Sequence, residues 1–304
     1  MKFKRHFQLL KKELNTDVSK IKSSHWKEGL KDFIISDDNT LKINNFGFGN
    51  LEPNTFLRKI YHNFFLRIIY GSQIFSTKWY KLFKIIAAAQ DKVIGLDTMR
   101  HVFTFEFLEN ELFQTNIINT ICIIGDGRSN FVSPCLVSKR FSKIISINLT
   151  ETLICDLLLL EKDGFAESNH IGIAISVREI NQLLNDNKTK LILVPAQYLK
   201  ILNNIGINLF VNMCSFQEMN KDVIDEYFKI IKSNNSYLYC CNREKKILPD
   251  GETVEFRKYP FGNPTIIVEE ECPWTSKYYD YHKYPFIFKY ETILHTLVKY
   301  NDSK

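Results

Sequence analysis

The segment from Gly125 to Asn130 combines glycine, acidic and amide residues in a pattern typical of a ligand-binding turn. It follows the apolar run ICII and precedes a helical pattern, which predicts a glycine-rich connection between a β-strand and an α-helix. Glycines there let the backbone approach a ligand, and the next helix presents free N–H groups. The residues predicted to bind a cofactor are Gly125, Asp126, Gly127, Arg128, Ser129 and Asn130. Because Asn130 stands where the dinucleotide fingerprint has its third glycine, the pattern argues against NAD.

A second polar segment, INLTE, ends the next apolar run and contains Asn148 and Glu151. In nucleoside-binding sheets an acidic side chain at this point accepts hydrogen bonds from the ribose hydroxyls. Here Asn148 occupies that position, and its amide oxygen can also accept such a bond. Glu151 is an alternative acceptor, or else a residue of the first helical turn that the helix dipole favours. Both residues are therefore predicted cofactor contacts.

The sequence contains no residue pattern typical of a metal site or of a serine hydrolase. The seven histidines include no pair at HxH or HxxxH spacing, and no carboxylate cluster resembles an octahedral oxygen site. No GxSxG segment follows a predicted strand. We therefore predict neither a bound metal ion nor a serine nucleophile.

Five apolar runs predict the strands that position these segments: TICIIGDG, KIISINLT, KLILVPA, NLFVNMCS and SYLYCCN. Helical patterns alternate with them, over residues 131–140, 151–162, 176–185 and 221–232. This order predicts an α/β fold with a mostly parallel sheet and crossover helices. TVEFRKYPF and PTIIVEEE are predicted to add an antiparallel edge, and residues 288–300 to form a final helix.

The first 115 residues are predicted to be mainly helical. Helical spacing covers residues 1–30, 55–70, 77–94 and 98–114, and a turn-rich loop or short hairpin is expected over 36–54. We therefore predict a helical N-terminal region over residues 1–115, which forms a lid or acceptor site, and an α/β domain over residues 116–304.

The charge of the chain is concentrated near its beginning. Residues 1–120 carry 18 Lys and Arg against 12 Asp and Glu, whereas residues 121–304 carry 22 of each, so the formal net charge of +6 arises in the first part. Basic helices bind nucleic acid or anionic membrane surfaces, but scattered lysines more often form a solvated face. We predict no nucleic-acid partner and leave peripheral membrane contact open.

The seven cysteines are odd in number, form no CxxC pair and mostly fall in apolar runs, which indicates reduced thiols. The N-terminal residues lack the apolar core of a secretory signal, and no uncharged stretch of about 18 residues could span a bilayer. The predicted location is cytoplasmic. The sequence does not predict the oligomeric state.

The GDGRSN turn, the INLTE and VPAQ strand ends, and NMCSFQEMN before the helix DVIDEYF together resemble the sugar O-methyltransferase family of class I S-adenosylmethionine enzymes. The resemblance covers about residues 116–274, and SFQEM is its most distinctive part. It implies a Rossmann-like sheet, S-adenosylmethionine as the cofactor, and a sugar hydroxyl as the methyl acceptor, in surface-glycan or polysaccharide synthesis. Asn148 departs from the acidic residue that the family has after the second strand.

The resemblance also implies where each part of the cofactor lies. The methionine part is expected over Gly125 to Asn130, and the ribose near Asn148. The adenine is expected near Ala196 and Gln197, and the segment from Asn212 to Ser215 is expected to border the transferred methyl group.

Methyl transfer to a hydroxyl needs a base, and the sequence offers Glu218 and His282. Glu218 follows the fourth strand, but it is alternatively a residue that caps the next helix; His282 is alternatively an ordinary surface or core histidine. Two other functions stay open. One is a nucleotide-dependent oxidoreductase. The other is a catalytically degenerate Rossmann-like interaction module, which is supported by Asn148 in place of the usual acidic residue.

Overall fold

The helices pack around one large β-sheet. The structure, a computed structural model, describes residues 2–16, 21–31, 33–35, 41–42, 55–280 and 282–301. Within these residues the α-helices are α1 (Lys4–Glu13), α2 (Ser24–Gly29), α3 (Phe56–Tyr70), α4 (Lys78–Ala89), α5 (Leu96–Leu108), α6 (Val132–Ser138), α7 (Thr150–Asp163), α8 (Val177–Asn185) and α9 (Lys221–Ser233). The strands are β1 (Ile34–Ile35), β2 (Leu41–Lys42), β3 (Thr120–Ile124), β4 (Lys143–Asn148), β5 (Ile171–Ile173), β6 (Leu191–Pro195), β7 (Leu209–Met213), β8 (Tyr237–Arg243), β9 (Lys245–Ile247), β10 (Thr253–Glu255), β11 (Thr265–Glu271), β12 (Lys277–Tyr279), β13 (Ile287–Lys289) and β14 (Ile293–Lys299).

The main sheet has eight strands in the order β11-β14-β8-β7-β3-β4-β6-β5. The six strands from β8 to β5 pair in parallel, whereas β14 pairs antiparallel with both β8 and β11. The antiparallel strand thus lies one position in from the edge. The predicted fold class, an α/β Rossmann-like and mostly parallel sheet with an antiparallel strand near one edge and a helical N-terminal region, is confirmed.

The central strands are mostly apolar because both faces of the sheet are covered. Every residue of β4 and of β6 is buried. Helices on both sides of a parallel sheet remove the alternation that a half-exposed strand would show. This explains why runs such as KIISIN and LILVP could be recognised as strands from the sequence.

The N-terminal helices pack directly on the sheet domain. α1 contacts α7, and α4 contacts α5, α6 and α7. Aromatic rings join the two parts: Trp79 stacks on Phe105 with centroids 4.4 Å apart, and Phe105 stacks on Phe131 at 4.2 Å. Stacked rings of this size contribute strongly to a core. The two regions therefore share one hydrophobic core, and the division at residues 115 and 116 stays a prediction.

The predicted final helix over residues 288–300 is wrong, because this segment forms β13 and β14. All residues from Ile293 to Val298 are buried between the neighbouring strands β8 and β11. Their apolar pairs, Ile293-Leu294 and Leu297-Val298, repeat four residues apart, which is also the spacing of a helical face. Pairing with the distant strands β8 and β11, and not the local spacing, makes this segment a strand instead of a helix.

Three other elements differ from the prediction or extend it. The short strand β5 was missed, since three residues give too little pattern to recognise. PTIIVEEE forms the edge strand β11, whereas TVEFRKYPF contributes β10, which pairs only with β9 in a separate ladder. The loop predicted over residues 36–54 lies outside the described residues except for Leu41–Lys42, which pairs with β1.

We predict that Leu297→Ala lowers the free energy of unfolding by about 2–5 kcal/mol, because it leaves a cavity in the fully buried centre of β14. Urea unfolding followed by circular dichroism measures this loss. Ile266→Ala, on the edge strand β11 where the side chain is 57% exposed, is the control and is expected to change stability by less than about 1 kcal/mol. Equal, small losses for both variants would contradict the strand placement.

Candidate active site

A cavity of about 200 Å³ opens at the carboxyl ends of β3, β4 and β7. The chain crosses from β3 to β4 on one side and to β7 on the other, so the cavity lies at the switch point of the sheet, where ligands bind in open α/β folds. Helix α5 and Trp26, from the N-terminal region, complete its wall. The predicted residues that line it are Gly125, Asp126, Gly127, Asn130, Asn148, Ser215 and Glu218.

The glycine turn after β3 makes a close approach to the turn after β7. Gly125 has a φ of +71°, and a Cβ atom there would lie 1.8 Å from Oγ of Ser215. Only glycine fits both the conformation and the space. At Gly127, by contrast, a Cβ atom would meet nothing within 4 Å, so the backbone faces open space. Gly125 is therefore required for the packing of the two turns, and Gly127 leaves room for a ligand.

Two buried carboxylates hold this turn in place. Asp126 accepts hydrogen bonds from the backbone N–H groups of Phe131 and Val132, at 2.7–3.0 Å. Asp156, on α7, accepts one from the N–H of Ser129 at 2.8 Å. Burial raises the pKa of Asp126 to about 7, and burial beside Asp126 raises the pKa of Asp156 well above its ordinary value. Both carboxylates therefore position the backbone of the turn.

Asn148 lies on the cavity wall, but its side chain also bonds to the backbone around it. Its Nδ2 donates to the carbonyl of Asp126 at 3.2 Å, and its Oδ1 accepts from the N–H of Leu149 at 2.9 Å. An amide oxygen has two lone pairs, so one acceptor position remains for a ligand hydroxyl. One helical turn further, Thr152 lines the cavity with a buried Oγ1 that has no hydrogen-bond partner in the described part of the chain.

A narrow slot adjoins the cavity and shares Trp26, Asn148 and Ser215 with it. Its other walls are mostly apolar, and they include Ala196, which the resemblance implies is near the adenine. The remaining lining residues are Ile21, Ile147, Leu149, Met219, Val223 and Tyr227. The slot has a volume of about 20 Å³ and extends the cavity with a mostly apolar surface.

Four predicted contacts whose side chains the structure describes line neither space: Ser129, Glu151, Gln197 and Asn212. Glu151 forms an ion pair with Lys22. Gln197 donates to Oγ1 of Thr150 at 3.4 Å. Asn212 is fully buried and donates to the carbonyl of Ile124.

Asn212 also accepts from the N–H of Phe216 and from Nδ2 of Asn242, so its polar groups are used within the fold. Ser129 is buried at the turn, where its N–H binds Asp156. Arg128 belongs to the 3₁₀ turn Gly127–Ser129, and its side chain lies outside the described part of the structure.

Of the two predicted bases, only Glu218 lies at the cavity. Its Oε1 accepts a hydrogen bond from Nζ of Lys246 at 2.9 Å and lies 3.4 Å from Nε2 of His25. Burial raises the pKa of Glu218, and the charge of Lys246 opposes that rise. Burial and the nearby cations Lys246 and Arg243 lower the pKa of His25 to about 4, so this imidazole is neutral at pH 7. Burial thus increases the affinity of Glu218 for a proton, whereas the pairing with Lys246 favours its charged form.

The other predicted base, His282, is exposed on the turn between β12 and β13. Its backbone N–H donates to Oδ1 of Asp280 at 3.0 Å. It is not among the described residues that line the cavity. Trp274, which precedes it in the sequence, is also not among the described residues that line the cavity, and it stacks on Phe103 with centroids 6.0 Å apart.

Helix α5 supplies three cavity residues that the sequence prediction missed: Asp97, Arg100 and His101. Their spacing of three and four residues places them on one helical face, a signal that was available in the sequence. Nδ1 of His101 is buried and has no hydrogen-bond partner among the described residues, and burial lowers the pKa of this histidine to about 4. A neutral imidazole therefore borders the cavity.

Tyr290 and Arg243 form the other end of the cavity wall and were also missed. The guanidinium of Arg100 lies over the Tyr290 ring, 4.6 Å from its centroid, and donates to Asp97 at 2.9 Å. Arg243 donates to the Tyr290 hydroxyl at 3.1 Å. This end of the cavity is thus rich in hydrogen-bond donors.

No protein-family model matches the chain, and no curated protein matches it. Among solved structures, an S-adenosylmethionine-dependent methyltransferase from Clostridium acetobutylicum ATCC 824 is 10% identical, with a TM-score of 0.39 over 81% of this chain and 99% of that one. One from Archaeoglobus fulgidus is 12% identical, with a TM-score of 0.36 over 79% and 99%. Geranyl diphosphate C-methyltransferase from Streptomyces coelicolor A3(2) is 12% identical, with a TM-score of 0.38 over 65% and 77%. Likeness at this level says nothing about activity.

We predict that Gly125→Ala destabilises the protein by about 2–4 kcal/mol, because the new methyl group collides with Ser215 and the backbone keeps a positive φ. Gly127→Ala, two residues away in open space, is the matched control, with an expected loss below about 1 kcal/mol. Thermal unfolding compares the two. Ser215→Gly, added to Gly125→Ala, should recover part of the loss by removing the collision; no recovery would argue against the close approach of the two turns.

Proposed function

We propose that this protein is an S-adenosylmethionine-dependent methyltransferase that acts on a hydroxyl group, with a sugar as the acceptor. The observation that carries the proposal is the open backbone at Gly127, which faces a cavity at the switch point of the sheet. The apolar slot past Asn148 and the donor-rich end at Arg100 lie at this same cavity. These two parts offer separate surfaces for a cofactor and for an acceptor.

The residues at the site fit the proposed cofactor in chemical type. The open face at Gly127 admits the methionine part against the backbone, and the unpartnered Oγ1 of Thr152 offers a polar contact inside the cavity. The free acceptor position of Asn148 suits a ribose hydroxyl. Ala196 and its neighbours in the slot suit the flat face of an adenine.

When bound, S-adenosylmethionine supplies a methyl group on a positively charged sulfur. Transfer breaks the sulfur–carbon bond, forms an oxygen–carbon bond on the acceptor and releases the hydroxyl proton. We propose that Glu218 accepts this proton, because it is the carboxylate on the cavity wall that is not used to hold the glycine turn or paired within α5. Its burial increases its affinity for a proton, and its pairing with Lys246 favours the ionised form that can accept one.

His101 is the second candidate for the base. Its ring is neutral, borders the cavity and has a buried nitrogen without a partner in the described part of the chain. The donor groups of Arg100 and Arg243 support an acceptor with several hydroxyls or with an anionic group, as in a sugar or a sugar phosphate. The alternatives are the oxidoreductase, which would bind NAD(H) instead, and the degenerate module, which would bind neither cofactor.

We expect the protein to bind S-adenosylhomocysteine, and we expect Gly127→Arg to abolish binding, because the new side chain fills the cavity without entering the core. Isothermal titration calorimetry measures both. Gly95→Arg is the control, since it also adds a side chain at an open glycine but lies outside the residues described as lining the cavity. Absence of binding by the parent protein would reject the methyltransferase proposal, and binding of NADH alone would favour the oxidoreductase.

We expect Glu218→Gln to lower kcat by about 10²–10⁴-fold while the affinity for S-adenosylhomocysteine stays unchanged, since the variant removes the base and leaves the cofactor side intact. The assay follows the transfer of a labelled methyl group to a panel of free, nucleotide-linked and lipid-linked sugars. Activity of the parent should fall as the pH drops through the raised pKa of Glu218.

Glu226→Gln, at a half-exposed glutamate on α9, is the control and should keep full activity. If Glu218→Gln keeps its kcat and His101→Asn loses it, the base is His101 instead.

A further inference from the structure

The helices α3 and α4 belong to a segment that contains no carboxylate. Residues 53–90 include six lysines and arginines and no aspartate or glutamate. This segment alone therefore has a formal charge equal to the net charge of the whole chain. Four of the cations are exposed lysines: Lys59, Lys78, Lys81 and Lys84.

The outer face of α3 is an exposed apolar stripe. Its side chains range from 53% exposed, at Ile60 and Ile68, to 77% exposed, at Leu57, with Phe56 and Phe64 between them. With about 100° per residue, these five positions fall within an arc of about 120° on one side of the helix. Single exposed apolar residues are ordinary, but a contiguous stripe of this size marks a binding surface.

The stripe is held outward because the opposite face of α3 is fixed in the fold. Phe65 and Leu66 are buried there, and Phe65 stacks on Tyr279 of β12 with centroids 5.2 Å apart. The turn from β12 to β13 extends the surface with Tyr284, which is 87% exposed, and with Phe286, whose ring lies 6.3 Å from Phe65. Amphipathic aromatic rings are favoured at the boundary between lipid and water.

A groove between α3 and α4 lies beside the stripe. It has a volume of about 350 Å³, an apolar floor that includes Leu66 and Phe75, and lysines 59, 84 and 92 around it. A groove that is apolar inside and cationic at its border suits an anionic headgroup above a hydrocarbon chain.

We propose that α3 and the β12–β13 turn rest on an anionic lipid bilayer, with α3 parallel to the membrane surface. Bulky apolar residues flanked by cations are the features of an interfacial helix. No described helix is long and apolar enough to cross a membrane, which agrees with a helix that lies on the surface. Two other partners fit this surface less well. A second copy of the chain would bring two cationic faces together, and a nucleic acid would leave the apolar stripe exposed to water. The inference does not depend on the proposed enzymatic activity.

The test is flotation of the full chain with vesicles of phosphatidylcholine alone or mixed with phosphatidylglycerol. We expect the protein to float with the mixed vesicles and to dissociate at high salt. Lys59→Gln with Lys84→Gln should weaken binding by roughly 25-fold, from about 1 kcal/mol for each lysine at an anionic surface. Phe56→Ser with Phe64→Ser should weaken it by more than about tenfold, through the lost burial of two rings.

Ile117→Ser with Ile247→Ser removes two equally exposed apolar side chains elsewhere on the protein and should not change binding. Circular dichroism melting should show that all variants remain folded. The proposal is overturned if the parent stays in solution with both kinds of vesicle, or if the phenylalanine variant floats as well as the parent. A parent dimer that becomes monomeric in the phenylalanine variant, without vesicle binding, would assign the stripe to a second copy.

Discussion

The contact between the turn after β3 and the turn after β7 is the constraint on which the cavity depends. Gly125 has no side chain, so its backbone can lie against Ser215, and the two strand ends enclose the space between them. Asp126 and Asp156 keep this turn in shape through backbone hydrogen bonds made in a buried environment. Burying two carboxylates opposes folding, which is why their hydrogen bonds must be retained.

The N-terminal helices serve the site as well as the fold. The stacked rings of Trp79, Phe105 and Phe131 join α4 and α5 to the sheet, so α5 is fixed where it can present Arg100 and His101 to the cavity. A loosely attached lid would not place these groups reproducibly. The donor-rich end of the cavity is therefore built from packing between segments that are far apart in the sequence.

The same helical region faces outward through α3, and strand β12 contacts both this helix and the cavity residue Tyr290. Tyr290 lines the cavity and lies 5.7 Å from Tyr278 of β12, ring to ring, and the next residue, Tyr279, stacks on Phe65 of α3. The polar cavity and the exposed apolar stripe are thus joined by one short hairpin. An acceptor held at a membrane surface would meet the protein on the side of that hairpin.

The sequence by itself determined the elements with strong local patterns: the buried strands β3, β4, β6, β7 and β8, the helices between them, and the glycine turn. Their periodicity and turn residues act over a few neighbouring positions, so one sequence suffices to recognise them. Only the tertiary structure decided that β14 is a strand, that Asn212 bonds within the core, and that Glu218 meets Lys246 at the cavity while His282 stays exposed. Those outcomes depend on contacts between distant residues, whose pairing no local pattern records.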